Sequence, residues 1–287
     1  MSLLKKNEIL SSPLNWSIFV QSNVKHYSAA ENDTDYMGLK IEWRDGHTEL
    51  GEHAMMFFAL PGVGNVGKVA LEGLNSCHLS HEIARLHHTA LPPLATLDED
   101  GLLAPPHLSL TSIESFTGIR ILTLTGTSQP LEPEHQGSMA REIMHWLHSQ
   151  GVKSLYVLAG LMDAPTRKET FMVASNSSHR IDLESMGVDV RRNEPKSGAI
   201  GLAALLASIG PLFEINSACA IATTVGSSGD VFASQRLLEA LDKWFNLGIA
   251  LPNDIQSKLT EKLAKLAPTN APDLVSELTE SPDAFYM

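Results

Sequence analysis

Only two cysteines, Cys77 and Cys219, occur in 287 residues. Two scattered thiols cannot form the disulfide framework of a small secreted domain, so a reducing compartment is expected. Long apolar runs are also missing. The longest nearly uncharged apolar run, Gly198 to Gly210, is well short of the roughly 20 residues that span a bilayer. MSLLKKNEILSSP at the start lacks the apolar stretch of a signal peptide. Positive charge is in deficit: 21 Lys and Arg against 33 Asp and Glu give a net charge of -12. A nucleic-acid backbone or an anionic membrane would need a basic face, so neither is expected as a partner. No internal repeat is visible. Together these absences describe a cytoplasmic protein with material for a full hydrophobic core.

What is present alternates between short apolar runs and helical periodicity. Strands are expected at Trp16–Gln21, Gly38–Trp43, Ala54–Leu60, Leu94–Leu97, Ile119–Leu124, Ser154–Ala159, Phe171–Ala174 and Ala218–Val225. A polar turn cluster falls at Asn32–Asp35, and Pro105-Pro106 opens another extended piece. Helices are expected at Val66–Ser76, Pro133–Gln150 and Ala199–Ile209, with more after Asp230. This order argues for α/β architecture, a three-layer α/β/α sandwich around a mostly parallel sheet. Three regions follow: a sandwich over 1–229, a helical annex over 230–267 that includes Pro252–Leu266, and an acidic, proline-containing tail over 268–287.

The centre of the pattern is Ala59–Ala70, ALPGVGNVGKVA. Gly62, Gly64 and Gly67 fit the G-x-G-x-x-G spacing of a dinucleotide loop, and with Lys68 they fit the opening of a phosphate-binding P-loop. Val69 stands where a P-loop places the metal-binding Ser or Thr. Glu82 has the spacing of a ribose carboxylate but lies within LSHEIARLHH, away from a strand end. The other reading is geometric: glycines for a tight turn and close helix packing. Thr127, Ser128 and Gln129 follow a central strand at its carboxyl end, where open α/β sheets bind ligands. A turn closed by Pro130 and Pro133 accounts for them equally.

Other chemistry finds little support. Cys77, His78, His81, His87 and His88 are dense, but His-x-x-His-Glu is not a metalloprotease arrangement, and no metal is expected. Gly226-Ser227-Ser228-Gly229 is one residue short of a nucleophile elbow. No catalytic residue and no cofactor are assigned. The end of the chain is more informative: Phe285, Tyr286 and Met287 offer a ring, a phenol and a carboxylate to a partner groove.

Leu60-Pro61-Gly62-Val63-Gly64 to Lys68, Leu97 to Gly101 with Pro105-Pro106, Leu124-Thr125-Gly126-Thr127-Ser128-Gln129-Pro130-Leu131, Gly151-Val152-Lys153 to Gly160, and Gly198 to Leu206 occur in that order. In this order they resemble the proteasome assembly chaperone 2 family, in its archaeal-type form. The resemblance covers roughly residues 50 to 250. It implies a sandwich akin to nucleoside phosphorylases and a non-enzymatic homo-oligomer, such as a trimer or larger ring. It further implies that a hydrophobic-Tyr-any terminus, here Phe285-Tyr286-Met287, docks on the α subunits of the proteasome core particle. Gly229-Asp230 departs from the Pro-Asp usual in the family, and Leu161–Lys168 from its glycine-containing loop. The alternative function is a nucleotide- or nucleoside-binding enzyme using the glycine loop.

Overall fold

The computed structural model describes residues 38–97, 101–196, 198–199, 201–227 and 229–249. The expected strand Trp16–Gln21, the turn at Asn32–Asp35, the helix Pro252–Leu266 and the terminal residues lie outside them.

Ten strands and five helices make up the described fold. In chain order they are β1 (Leu39–Trp43), β2 (Met56–Ala59), α1 (Val66–Cys77), β3 (Leu79–His88), β4 (Thr96–Leu97), β5 (Leu103–Ala104), β6 (Leu108–Glu114) and β7 (Arg120–Gly126). Then come α2 (Pro133–Ser149), β8 (Ser154–Met162), β9 (Thr170–Ala174), α3 (Ser177–Ser185), α4 (Leu202–Ile209), β10 (Asn216–Thr224) and α5 (Val231–Phe245). Eight strands form one sheet in the order β1-β3-β6-β7-β2-β8-β10-β9, and β4 and β5 pair separately.

The sheet is mixed, which corrects the expectation of a mostly parallel one. Four adjacent strands, β7-β2-β8-β10, the fourth to seventh in this order, run parallel. The four remaining contacts, β1 with β3, β3 with β6, β6 with β7 and β9 with β10, are antiparallel. The physical reason is the missing crossover helix: β3, β6 and β7 follow one another without one, and direct connections favour antiparallel neighbours. The extended piece expected after Pro105-Pro106 is β6, LSLTSIE, whose serines and threonine interrupt its apolar face.

β2 shows why the middle strands are almost wholly apolar. Met56, Phe58 and Leu60 point into one core with Met139, Ile143, Met144 and Leu147 of α2 and Leu202 and Leu206 of α4. Met55, Phe57 and Ala59 point into the other, with Val66, Ala70, Leu71 and Leu74 of α1 and Leu237, Leu238 and Leu241 of α5. Each large side chain removed from water in this way contributes about 1.5–3 kcal/mol. Helices therefore cover both faces, as a three-layer α/β/α sandwich requires. The first helix of the expected annex, α5, lies in the same layer as α1. Its N-cap is Asp230, whose carboxylate accepts from the Ala233 amide at 2.9 Å.

Candidate functional site

The four parallel strands deliver Ala59, Gly126, Met162 and Thr224 to one end of the sheet, the place where α/β folds bind ligands. The glycine loop crosses this end. Gly64 has φ of 60°, a left-handed conformation that glycine adopts without strain. A Cβ there would also sit 2.8 Å from Thr224 Oγ1. Asn65 closes the turn, its amide donating to the Gly62 carbonyl at 2.8 Å and its Oδ1 accepting from the Gly62 amide at 3.2 Å.

Gly67 has a different role. A Cβ on it would stand 2.0 Å from the Leu158 carbonyl oxygen, so only glycine lets the first turn of α1 lie this close to β8. This is the packing use of the third motif glycine. Gly160 performs the reciprocal service from β8, since its Cβ would meet the Val63 carbonyl at 2.3 Å. Gly62, in contrast, is extended and open.

Lys68 is held by the protein's own groups. Its ammonium pairs with Glu72 at 2.7 Å, one helical turn on, and donates to the Gly126 carbonyl at 3.0 Å. Gln129 is likewise engaged: its Nε2 donates to the Pro61 carbonyl, and its Oε1 lies against Gly201, just before α4. Thr127 is exposed and Ser128 half-buried on the same turn. The structure thus brings both candidate segments together, through Lys68 to Gly126 and Gln129 to Pro61. What joins them is the bonding of one loop to the other.

Sequence reasoning missed the group that locks the loop from the far side. Asp230 Oδ2 accepts from Thr224 Oγ1 at 2.6 Å, and the Asp230 amide donates to the Gly64 carbonyl at 2.9 Å. Ser234 adds a buried hydrogen bond to the Val66 carbonyl at 2.8 Å. The Gly229-Asp230 dipeptide was the available signal. Next to it, Arg167 gathers the carboxylates of Asp163, Glu169 and Glu194. The Ala164 amide and Arg167 hold the Asp163 carboxyl below its usual range.

The histidine-rich segment is β3, the second strand from one edge, and its histidines separate. His87 Nε2 meets Glu42 at 2.9 Å, while the buried His88 Nε2 meets Glu142 at 3.2 Å. The Ala90 amide donates to His88 Nδ1, so Nε2 carries the proton and donates to Glu142. His78 is buried against Phe116, and His81 is exposed. Among the described residues no group of three or more His, Cys, Asp or Glu is placed to hold a metal, and no helix is long and apolar enough to cross a membrane.

Residues 56–267 match the PAC2 family, which is most of the chain and includes the glycine loop, every strand of the large sheet except β1, and Asp230. The chain belongs to the PAC2 family. A curated relative, an uncharacterised protein of Methanocaldococcus jannaschii, is 25% identical over 202 residues, covering 69% of this chain and 76% of its own. The fold is shared with Pyrococcus furiosus PbaB, an archaeal proteasome activator, at a TM-score of 0.65 and 20% identity over 80% of this chain and 96% of that one. Pyrococcus furiosus PbaA, an archaeal homolog of proteasome-assembly chaperone, matches at a TM-score of 0.63 and 21% identity, with 80% and 95% covered. A Mycobacterium tuberculosis proteasome-assembly chaperone homologue matches at 0.55 and 16% identity, with 77% and 97% covered. Among PAC2 sandwiches of this kind, the glycine loop of this chain is a packed junction between strand ends and helix starts.

Proposed function

We propose that this protein is a non-enzymatic, proteasome-assembly-chaperone-like factor that binds the proteasome core particle through its C-terminal Phe285-Tyr286-Met287. The observation that carries this reading is the PAC2 match across residues 56–267, in a chain whose sequence ends in that tripeptide. The likeness to PbaA and PbaB, a chaperone homolog and an activator of archaeal proteasomes, supports it. Phe285 supplies apolar area, Tyr286 a hydroxyl, and the Met287 carboxylate a charge for a lysine between α subunits. Self-association would let several such ends act together, raising avidity through effective concentration.

The nucleotide-binding alternative draws no support from the loop geometry, because Lys68 and Gln129 are engaged with the protein's own carbonyls. The test is a pull-down of purified core particle with the intact chain and with a chain lacking Phe285–Met287. Retention by the intact chain alone supports the proposal. Equal retention by both removes the tail from it.

A further inference from the structure

The two edges of the eight-stranded sheet are finished differently. At the β9 edge the chain closes on itself: the Met172 amide donates to the Asp189 carbonyl at 2.8 Å, and the Arg191 amide donates to the Met172 carbonyl at 2.8 Å. At the other edge β1 pairs with β3 in unbroken register over Leu39–Trp43, and no described strand lies on its far side. The Arg44 amide donates to the Ile83 carbonyl at 2.9 Å, and bonded pairs alternate along an antiparallel ladder. Lys40 and Glu42 therefore turn their main-chain groups toward β3. Leu39, Ile41 and Trp43 turn theirs outward, and among the described residues nothing bonds to them. The strand, LKIEW, contains neither proline nor bulge, so its edge is a template for another strand.

The same five residues select a second copy of themselves. Outward groups meet outward groups only when Leu39, Ile41 and Trp43 face one another across the pair. Three antiparallel registers bring two or more of them into partnership. Centred on Lys40, two lysines stand opposite and Trp43 is left over; centred on Glu42, two glutamates stand opposite and Leu39 is left over. Centred on Ile41, all five positions pair: Leu39 with Trp43, Ile41 with Ile41, and Lys40 with Glu42. Lys40 and Glu42 then form the non-hydrogen-bonded pairs, whose side chains lie closest. Lys40 is exposed and forms no ion pair with a described residue. Glu42 meets Arg44 and His87, each at 2.9 Å, and its carboxylate keeps acceptor capacity for a further donor. On the opposite face Ile41 and Trp43 are only half-buried against the core under α2, where Trp43 lies 6.1 Å from Trp146. A paired copy covers both.

We propose that β1 of one copy pairs antiparallel with β1 of a second copy about a twofold axis at Ile41, joining two eight-stranded sheets into one. Each outward amide finds a carbonyl on the other copy, and Lys40 of each copy meets Glu42 of the other. The occupant of the edge is a second copy of this chain. Any other extended segment, from this chain or a different protein, is a competing outcome. The contact is argued from β1 alone and stands whether or not the C-terminus engages a proteasome.

Sedimentation velocity of the full chain, without core particle, tests the register. Lys40→Glu and Glu42→Lys each set like charges opposite one another in a homodimer, and each should raise the dimer Kd at least about 10-fold. An equal mixture of the two variants restores opposite charges at both pairs and should associate within about 3-fold of the parent. A monomeric parent, variants that associate as the parent does, or a mixture as weak as its components would overturn the proposal. Hydrogen exchange on the parent needs no substitution, and decides the matter if Glu42→Lys, deprived of its contacts with Arg44 and His87, fails to fold. The Leu39, Ile41 and Trp43 amides should slow about 10-fold as protein concentration is raised through the Kd, with Lys40 and Glu42, already bonded to β3, changing less. Fast exchange at every concentration, or protection independent of concentration, would overturn the proposal. Neither measurement contains core particle, so failure here and failure of the tail reading are distinguishable.

Discussion

Thr224 and Asp230 are joined by a hydrogen bond of 2.6 Å that ties the end of β10 to the start of α5. The same carboxylate caps the helix through the Ala233 amide. Asp230→Ala removes both contacts and leaves the largely buried Thr224 hydroxyl short of an acceptor. A loss of about 1–3 kcal/mol is expected. Asp230→Asn keeps an acceptor for the Ala233 amide and should recover at least half of it. Urea denaturation of the three proteins measures both effects, and equal stability of Asp230→Ala and parent would refute the role.

Two glycines in helices should respond to alanine with opposite signs. At Gly67 the added methyl would meet the Leu158 carbonyl at 2.0 Å, and backbone on both sides leaves nothing flexible to yield. Gly67→Ala should cost about 3 kcal/mol or more, by pushing α1 off the sheet. At Gly137 in α2 the nearest atom is Arg141 Nη1 at 3.8 Å. Gly137→Ala should stabilise by about 0.5–1 kcal/mol, through helix propensity and a less flexible unfolded chain. Thermal unfolding of the pair checks the contrast, and destabilisation by both would mean that close approach is not what distinguishes them.

Acid should weaken the fold through histidines. Burial holds His78, His88 and His179 below the ordinary imidazole value, and for His88 this outweighs the favourable influence of Glu142. The unfolded chain, with histidine near about 6.5, therefore binds more protons than the native state just below that pH. The unfolding free energy accordingly rises with pH through this window. Stability should be complete above about pH 7 and fall as the pH drops below the unfolded histidine value. Denaturant titrations at pH 7.5 and 5.5 measure it. A flat profile would show that these rings are solvated.

Lys68 makes a prediction about ligands. Its ammonium is taken up by Glu72 and the Gly126 carbonyl on a half-buried stem. Lys68→Met should change stability by no more than about 1 kcal/mol, as expected for a partly exposed ion pair. Phosphate, nucleosides and nucleotides should leave the melting temperature of the parent unchanged. A ligand present at 100 times its Kd would stabilise by about 2.7 kcal/mol, so a thermal-shift series detects even modest binding. A response lost in Lys68→Met would restore the loop as a site.

The glycine loop marks the boundary of what the residues alone disclose. Its position between strand and helix, the helix expected at Val66–Ser76 and found at Val66–Cys77, and the two-sided burial of β2 follow from local pattern, and all appear in the structure. The destination of Lys68 does not. Gly126 is 58 residues away, and Glu72 one turn along the helix competes with any phosphate for the same charge. Asp230 illustrates a second limit, because its bonds to Thr224 and Gly64 depend on which helices share a layer. β3 was hidden for another reason. Its histidines dilute the apolar alternation by which a strand is recognised.

The last prediction concerns the C-terminus, which lies outside the described residues. Phe285, Tyr286 and Met287 combine ring, phenol and carboxylate in three consecutive positions, and each can be removed separately. Tyr286→Ala should weaken retention of core particle more than Met287→Ala. The tyrosine supplies both apolar area and a hydroxyl, whereas any final residue carries the carboxylate. Deleting all three should reduce retention by at least about 100-fold if several tails of a homo-oligomer engage at once, since avidity multiplies each loss. A monomer would lose only the affinity of one tripeptide. Sedimentation of the parent fixes the copy number, and surface plasmon resonance against immobilised core particle gives the ratio. Unchanged thermal unfolding of the deletion variant would assign the loss to recognition. Retention that survives the deletion would move the partner-binding surface onto the sandwich itself.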